Sequence, residues 1–423
     1  MTFDRRRSRI SGFMLLYTTT FVMAAGNLAM MSLFPAIARS SGIPDVAMVA
    51  VQSVSAGLSM LALPLWAARS DLIGRKPVIL IGITGFTVAS ALTAVGIFAA
   101  VNRLVSVAAG VAALAGARAV FGSVGLAAAP AIQAHIADQT TAAQRTGALA
   151  SMASAQGLGS IVGPAVAPLL ILPWLGLAGP QVVFTLVGCG ILAWVAWRLP
   201  ASQARSADSN ERASRNWDTL RRPSVLPFVA YLAMLSGCQA ASLQMLGFVV
   251  IDRLRLAPIE AQPLAGIAMM LGASAAVTVQ LGIMRRIRAR PPLLMLAGSV
   301  LLIAGNGLMA IAQTYPWIVF AYVLSSAGAA FGMPAAASGA SLANPSNMQG
   351  AVAGMTSAAM GSGLLVAPVI AMFIYGYSAP GAFVGIATAV AAASFLLLPR
   401  MSRRLAVTQP SSHAVRFDET LQN

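Results

Sequence analysis

The chain has 423 residues, of which 58% are hydrophobic and 9% charged, and its mean hydropathy is +0.80. A water-soluble fold of this composition could not cover its surface with polar groups, so the outer face is built for lipid. A net charge of +16 raises nucleic acid or an acidic partner as candidates, and the placement of the arginines, described below, turns both away.

A hydrocarbon core of roughly 30 Å takes about 20 apolar residues per helix. Segments of that size recur at 12–37, 46–68, 77–100, 105–134, 145–171, 177–198, 225–251, 261–284, 291–313, 316–340, 348–375 and 379–399. They predict an all-α integral membrane protein with twelve transmembrane helices and both termini on one face. The first span follows Arg5, Arg6 and Arg7 and so imitates a secretory or twin-arginine signal. Its apolar run is longer than a signal's hydrophobic region, and the reading is an uncleaved first helix.

Between the second and third spans lies the charged segment 67–76, with Asp71, Gly74, Arg75 and Lys76. A carboxylate here can be attracted by a helix N-terminus, which carries roughly half a positive charge, and an arginine fork can hold a carboxylate through two bonds. The fourth span contains Arg118, followed four residues later by Gly122, and Asp138 stands near its end. A charge at the centre of a spanning helix costs about 2.5–3.5 kcal/mol, so Arg118 is expected to face a cavity or a polar partner. Thr141 and Gln144 fit a capping box at the start of the fifth span. That span then carries Gly159, Gly163 and Pro164, followed by Ala167 and Pro168, small and bending residues that let helices approach.

Asn27, Gln52, Gln156, Gln239 and Gln244 are the polar side chains expected to line a central cavity; hydrogen bonds between helices are the alternative. Cys189 and Cys238 fall within spans and read as apolar packing groups. Neither a disulfide, a metal site nor a cofactor is expected.

The segment 200–223 is the one long polar interruption, and it divides the spans six and six. Residues 1–199 and 224–399 are expected to form two six-helix bundles joined by a cytoplasmic linker, with a polar cytoplasmic tail at 400–423. Internal repetition supports the division. Pro130 and Pro164 recur 204 residues later as Pro334 and Pro368, and residues 147–152 echo 350–355. With the N-terminus inside, twenty-two of the lysines and arginines fall on the cytoplasmic side and four outside, the asymmetry of the positive-inside rule. The basic charge therefore answers to the membrane, with no role for nucleic acid.

The segment 67–76 resembles the signature between helices 2 and 3 of the major facilitator superfamily: Gly, three residues, Asp, two residues, Gly, Arg, then Lys or Arg. Ala67 replaces the leading Gly. The resemblance covers the whole chain in topology and implies two pseudo-symmetric six-helix bundles. It implies further that Asp71 is held near the start of helix 11, that Arg75 pairs with Asp138, and that these residues with Gly74 and Lys76 form a conformational latch. Arg118 and Gly122 resemble a second signature, whose Arg bonds across to helix 1 and assists proton coupling. Gly159, Gly163 and Pro164 resemble the antiporter motif of helix 5, with Ala167 and Pro168 in place of its two final glycines.

The expected function is a secondary active transporter of the cell inner membrane, working by alternating access. It exports a small neutral or anionic organic molecule by proton antiport, since none of the eleven acids lies deep inside a span to receive a cation. Its partners are that molecule, protons and the lipid bilayer, and the working unit is a monomer. Export of a carboxylate chelator, a siderophore, is an alternative, since the run 246–254 resembles the corresponding helix of relatives that perform it, and proton-coupled uptake of a metabolite is another. An enzyme would need clustered nucleophiles, acids or metal ligands, and His135 and His413 stand apart in the sequence.

Overall fold

The computed structural model describes residues 2–200, 225–286, 290–344 and 348–408. The linker and the end of the tail lie outside the described residues. The helices are α1 (Thr2–Ser41), α2 (Asp45–Leu72), α3 (Arg75–Val101), α4 (Val107–Gln139), α5 (Ala142–Val166), α6 (Gly179–Arg198), α7 (Leu226–Leu254), α8 (Pro258–Ile283), α9 (Pro291–Ile311), α10 (Tyr315–Leu342), α11 (Gln349–Tyr377) and α12 (Ala379–Thr408). Among the described residues, eleven helices are long and apolar enough to cross a membrane. The remaining one, α5, has 25 residues and so is of spanning length, but its apolar character is diluted by Gln144, Gln156 and a run of Gly and Ser. It ends at Val166 rather than near 171 because Pro168 opens a short 3-10 turn.

Two helices are locally widened. In α4 a π turn occupies Phe121–Gly125, and in α8 another occupies Val279–Ile283. The wide turn in α4 frees a carbonyl, and the Trp66 indole of α2 donates to it, Nε1 to Ser123 O at 2.6 Å. Beyond the π turn α4 runs on to Gln139, several residues past the end its hydropathy predicts.

The expected capping box is absent: Thr141 takes the N-cap position of α5 without a side-chain bond. The matching start of the eleventh span, where Ser346 and Gln349 fit the same capping pattern in sequence, has its Ser346 outside the described residues. Gln349 instead closes the turn before α11, donating from Nε2 to Ser341 O at 2.9 Å and Asn344 O at 3.1 Å.

Within the first bundle α1 packs on α5 and α3 on α6; within the second, α9 packs on α10 and α7 on α11. The α9–α10 contact depends on absent side chains, because a Cβ on Gly298 would meet Gly332 N at 2.6 Å and Gly328 O at 2.7 Å. Across the bundles α2 meets α11 and α5 meets α8, while α1 touches both α7 and α8.

The apolar core shows where the bundles are joined. Leu15, Ile79, Phe86 and Ile132 form one core inside the first bundle. A second core is continuous from Met30, Leu33 and Ile37 of α1 into Met245, Leu246 and Val249 of α7. The closed side of the molecule is thus the face that carries the α1–α2 turn, opposite the charged segment 67–76.

Candidate functional site

At the charged face Gly74 is the N-cap of α3 with φ of 93°, a left-handed conformation that a side chain would strain. The reversal it allows sets Arg75 between α2 and α4. Arg75 Nη2 lies 2.5 Å from Asp71 Oδ1, Nε donates to Asp138 Oδ2 at 3.1 Å, and Nη1 donates to Ser70 Oγ at 2.6 Å. Lys76 reaches a different helix, donating to Ala196 O at 2.8 Å in the last turn of α6, where free carbonyls attract a cation. The structure thus brings Asp71, Arg75 and Asp138 together within the first bundle. The residues before α11, where Asp71 is expected to be drawn, lie outside the described residues at 345–347.

Arg118 lies in the middle of the first bundle and is 4% exposed. Its Nη2 donates to Asn27 Oδ1 of α1 at 3.0 Å and to Ser55 Oγ of α2 at 3.4 Å. The guanidinium stands 4.5 Å from the centre of the Phe121 ring, a geometry in which a cation is held by the ring face. No carboxylate pairs with Arg118 among the described residues, and its Nε has no acceptor there. Beside it, Asn27, Ser90, Thr93 and Gln181 line a void of about 10 Å³, room for about one water. Gly122, one turn further along, lies against the Ser55 backbone and lets α4 and α2 meet.

In the second bundle, Gln239 Nε2 donates to Ser326 Oγ, and Ser325 Oγ donates to Gln239 Oε1, both at 3.3 Å. Asn306 joins the same network, accepting from Ser242 at 2.7 Å and donating to Ser325 at 3.2 Å. The two bundles therefore repeat one design: α4 reaches α1 through Arg118 and Asn27, and α10 reaches α7 through Ser325, Ser326 and Gln239.

The other cavity candidates divide. Gln52 and Gln244 each hold a buried amide oxygen that meets no donor among the described residues. Gln156 is exposed on α5. Gly159 and Gly163 seat α5 against the Phe21 and Ala25 carbonyls of α1, and Pro164 O lies 2.5 Å from where a Cβ on Gly266 of α8 would stand. The antiporter-like run is therefore sandwiched between α1 and the second bundle.

Sequence reasoning passed over Gln181, which is 3% exposed, because it follows Pro180 and reads as a helix start. It also passed over Gln262 of α8, whose Nε2 donates to Ser32 Oγ of α1 at 3.4 Å.

The sequence family described as Major Facilitator Superfamily matches residues 16–355. The chain belongs to the major facilitator superfamily. It is a multi-pass membrane transporter of that type. No curated protein matches it in sequence. Solved structures with the superfamily's fold match over nearly the whole chain. The nucleoside transporter NupG, in a point-mutant form, has a TM-score of 0.71 and 11% identity, covering 93% of this chain and 99% of its own. A bacterial homologue of the human lysosomal transporter Spinster, in an inward-facing and unoccupied conformation, has a TM-score of 0.70 and 12% identity, with 96% and 99% covered. The human organic anion transporter MFSD10 (TETRAN) has a TM-score of 0.62 and 18% identity, with 91% and 98% covered. At these identities the likeness is one of fold.

Proposed function

We propose that this superfamily member exports a small neutral or anionic organic molecule by proton antiport, through alternating access of its two bundles. The observation that carries the substrate class is Arg118. It is a buried guanidinium held by an amide, a hydroxyl and a ring, with no carboxylate on it among the described residues, so an incoming carboxylate would complete its pairing. The unmet amide oxygens of Gln52 and Gln244 add two acceptors for hydroxyl or amide donors on the same molecule. The α5 run of Gly159, Gly163 and Pro164 supports export, since it resembles the antiporter motif and lies at the junction of α1, α5 and α8. The named neighbours include an organic anion transporter and a nucleoside transporter, so fold alone favours neither cargo. A carboxylate chelator, a siderophore, is the alternative cargo, and it too would bring a carboxylate to Arg118.

In proteoliposomes with an imposed proton gradient, adding an exported organic acid is expected to collapse the gradient, read by an internal pH dye. Movement of the acid that ignores the gradient would remove antiport from the proposal.

The proposed orientation places the charged face and both termini in the cytoplasm. Cysteines at Ser206 and Ser411, in a background lacking Cys189 and Cys238, are expected to resist a membrane-impermeant thiol reagent in intact cells. Ready labelling of either inverts the orientation.

A further inference from the structure

The Arg118 guanidinium has a second side. Its Nη2 is turned to Asn27 of α1 and Ser55 of α2, whereas its Nε is buried and meets no acceptor among the described residues. Beside it lies the void of about 10 Å³, and every residue that lines it belongs to α1, α3, α4 or α6 of the first bundle. Close packing of those helices shapes the space. A Cβ on Gly26 of α1 would meet the Phe86 ring of α3 at 2.8 Å and the Phe184 ring of α6 at 3.1 Å, and one on Gly188 of α6 would stand 2.5 Å from Thr87 Oγ1 of α3. The start of α6 is thereby carried inward, and Gln181, its third residue, is buried. The Gln181 amide nitrogen Nε2 likewise meets no acceptor among the described residues.

Two buried donors from different helices, one of them charged, thus border one small void. A buried donor left without an acceptor is costly, and the neutral groups around Arg118 answer some of its hydrogen bonds but none of its charge. Phe121 covers one face of the guanidinium. Thr93 spends its hydroxyl hydrogen on Ala89 O of its own helix at 2.7 Å, while Ser90 brings a further hydroxyl to the void. No acid is among the lining residues. A water molecule there would accept from the donors and leave the charge uncancelled, whereas a monatomic anion answers both. Size narrows the choice further. Room for about one water suits chloride or bromide, single atoms only slightly larger, and turns away a carboxylate or a sulfate, which bring several heavy atoms.

We propose that Arg118, Gln181 and Ser90 hold a halide ion inside the first bundle. The ion accepts from Arg118 Nε, the Gln181 amide and the Ser90 hydroxyl, and it neutralises the guanidinium from the side of α3 and α6. No covalent bond forms or breaks. A cargo carboxylate would reach the same guanidinium from the side of Asn27 and Ser55 and compete with the halide for one positive charge. That competition rests on the anionic-cargo reading, whereas the halide site does not.

Purified protein in detergent, held in sodium sulfate and titrated with sodium chloride at constant ionic strength, reads the site through Tm, because a ligand that binds only the folded chain raises it. Sulfate itself stabilises folded proteins without a site, so a rise on replacing it with chloride reports specific binding. A saturating rise is expected with chloride and with bromide. Gln181→Leu is expected to weaken halide affinity at least about tenfold, the scale of one hydrogen bond to a charged group. Arg103→Gln, which removes an exposed arginine of the α3–α4 turn, is expected to leave that affinity unchanged. Gln181→Glu sets a carboxylate beside Arg118 and is expected to fold normally while losing the halide response, since the chain then supplies its own anion. Crystals of the parent protein soaked in bromide are expected to show an anomalous peak between Arg118 and Gln181, a readout that needs no variant to fold. Absence of that peak, a Tm indifferent to halide, or an undiminished response in both Gln181 variants would overturn the site. Because none of these readouts involves cargo or flux, a failure of the export reading would appear separately, in the gradient experiment.

Discussion

Arg118→Ala is expected to abolish transport in proteoliposomes while the protein still inserts and purifies as a single species. The side chain links α4 to α1 through Asn27 at 3.0 Å and to α2 through Ser55 at 3.4 Å, yet carries a full charge that these neutral groups do not cancel. If an anionic cargo completes the pairing, removing the guanidinium discards a buried charge pair. Such losses run to about 2–5 kcal/mol, so cargo affinity is expected to fall by at least about 30-fold. Arg118→Lys keeps the charge but loses the planar fork and its stacking on Phe121, and is expected to weaken transport without eliminating it. Binding in detergent, measured apart from flux, separates the two roles open to this residue. If Arg118→Ala binds cargo with unchanged affinity but cannot move it, Arg118 serves coupling and the case for an anionic cargo is lost.

The second large effect is expected at the opposite charged face. Asp71→Asn leaves Arg75 with Asp138 at 3.1 Å and Ser70 at 2.6 Å, so the segment retains its fold. What disappears is a carboxylate, 40% exposed, that the start of α11 is proposed to attract when the bundles close on this side. A carboxylate at a helix N-terminus is worth up to about 2 kcal/mol in favourable settings. Transport per inserted molecule is therefore expected to drop about tenfold or more, with the state open to this face gaining population. Flux normalised to surface expression measures the first effect, and cysteine labelling from the cytoplasmic side measures the second. Normal flux through Asp71→Asn would end the latch proposal for this segment.

Much of the architecture is legible in the sequence because lipid imposes it. Repeated runs of about 20 apolar residues match the thickness of a bilayer and little else, whereas the contact of Arg75 with Asp138, 63 residues away, is legible only through the family resemblance. The interruption of α4 is invisible in the sequence. The stretch Phe121–Gly125 mixes Phe, Gly, Ser and Val, and nothing in that composition separates a π turn from a continuous helix. The pairing of Arg39 of α1 with Asp252 of α7 escapes notice because the two are 213 residues apart; Arg39 reads as an outside charge that counts toward topology, and Asp252 as part of the run 246–254. Gln239 reads as a cavity residue, yet its amide is taken up by Ser325 and Ser326, a choice that only packing decides. Gln52 and Gln244, of the same residue type in similar apolar runs, hold oxygens that meet no donor among the described residues.

The π turn in α4 also bears on how this chain can change over evolutionary time. An extra residue in a helical turn advances everything after it by about 100° around the axis, and this offset lets one helix aim Arg118 into the first bundle and still present Asp138 to Arg75. Straightening the turn at constant length would swing Asp138 by about 100° away from its guanidinium, whereas losing one residue between Phe121 and Gly125 would restore a regular helix with Asp138 still in place. The stretch can therefore shorten by one residue without disturbing the Arg75 contact, whereas substitutions that straighten it at constant length cannot be absorbed.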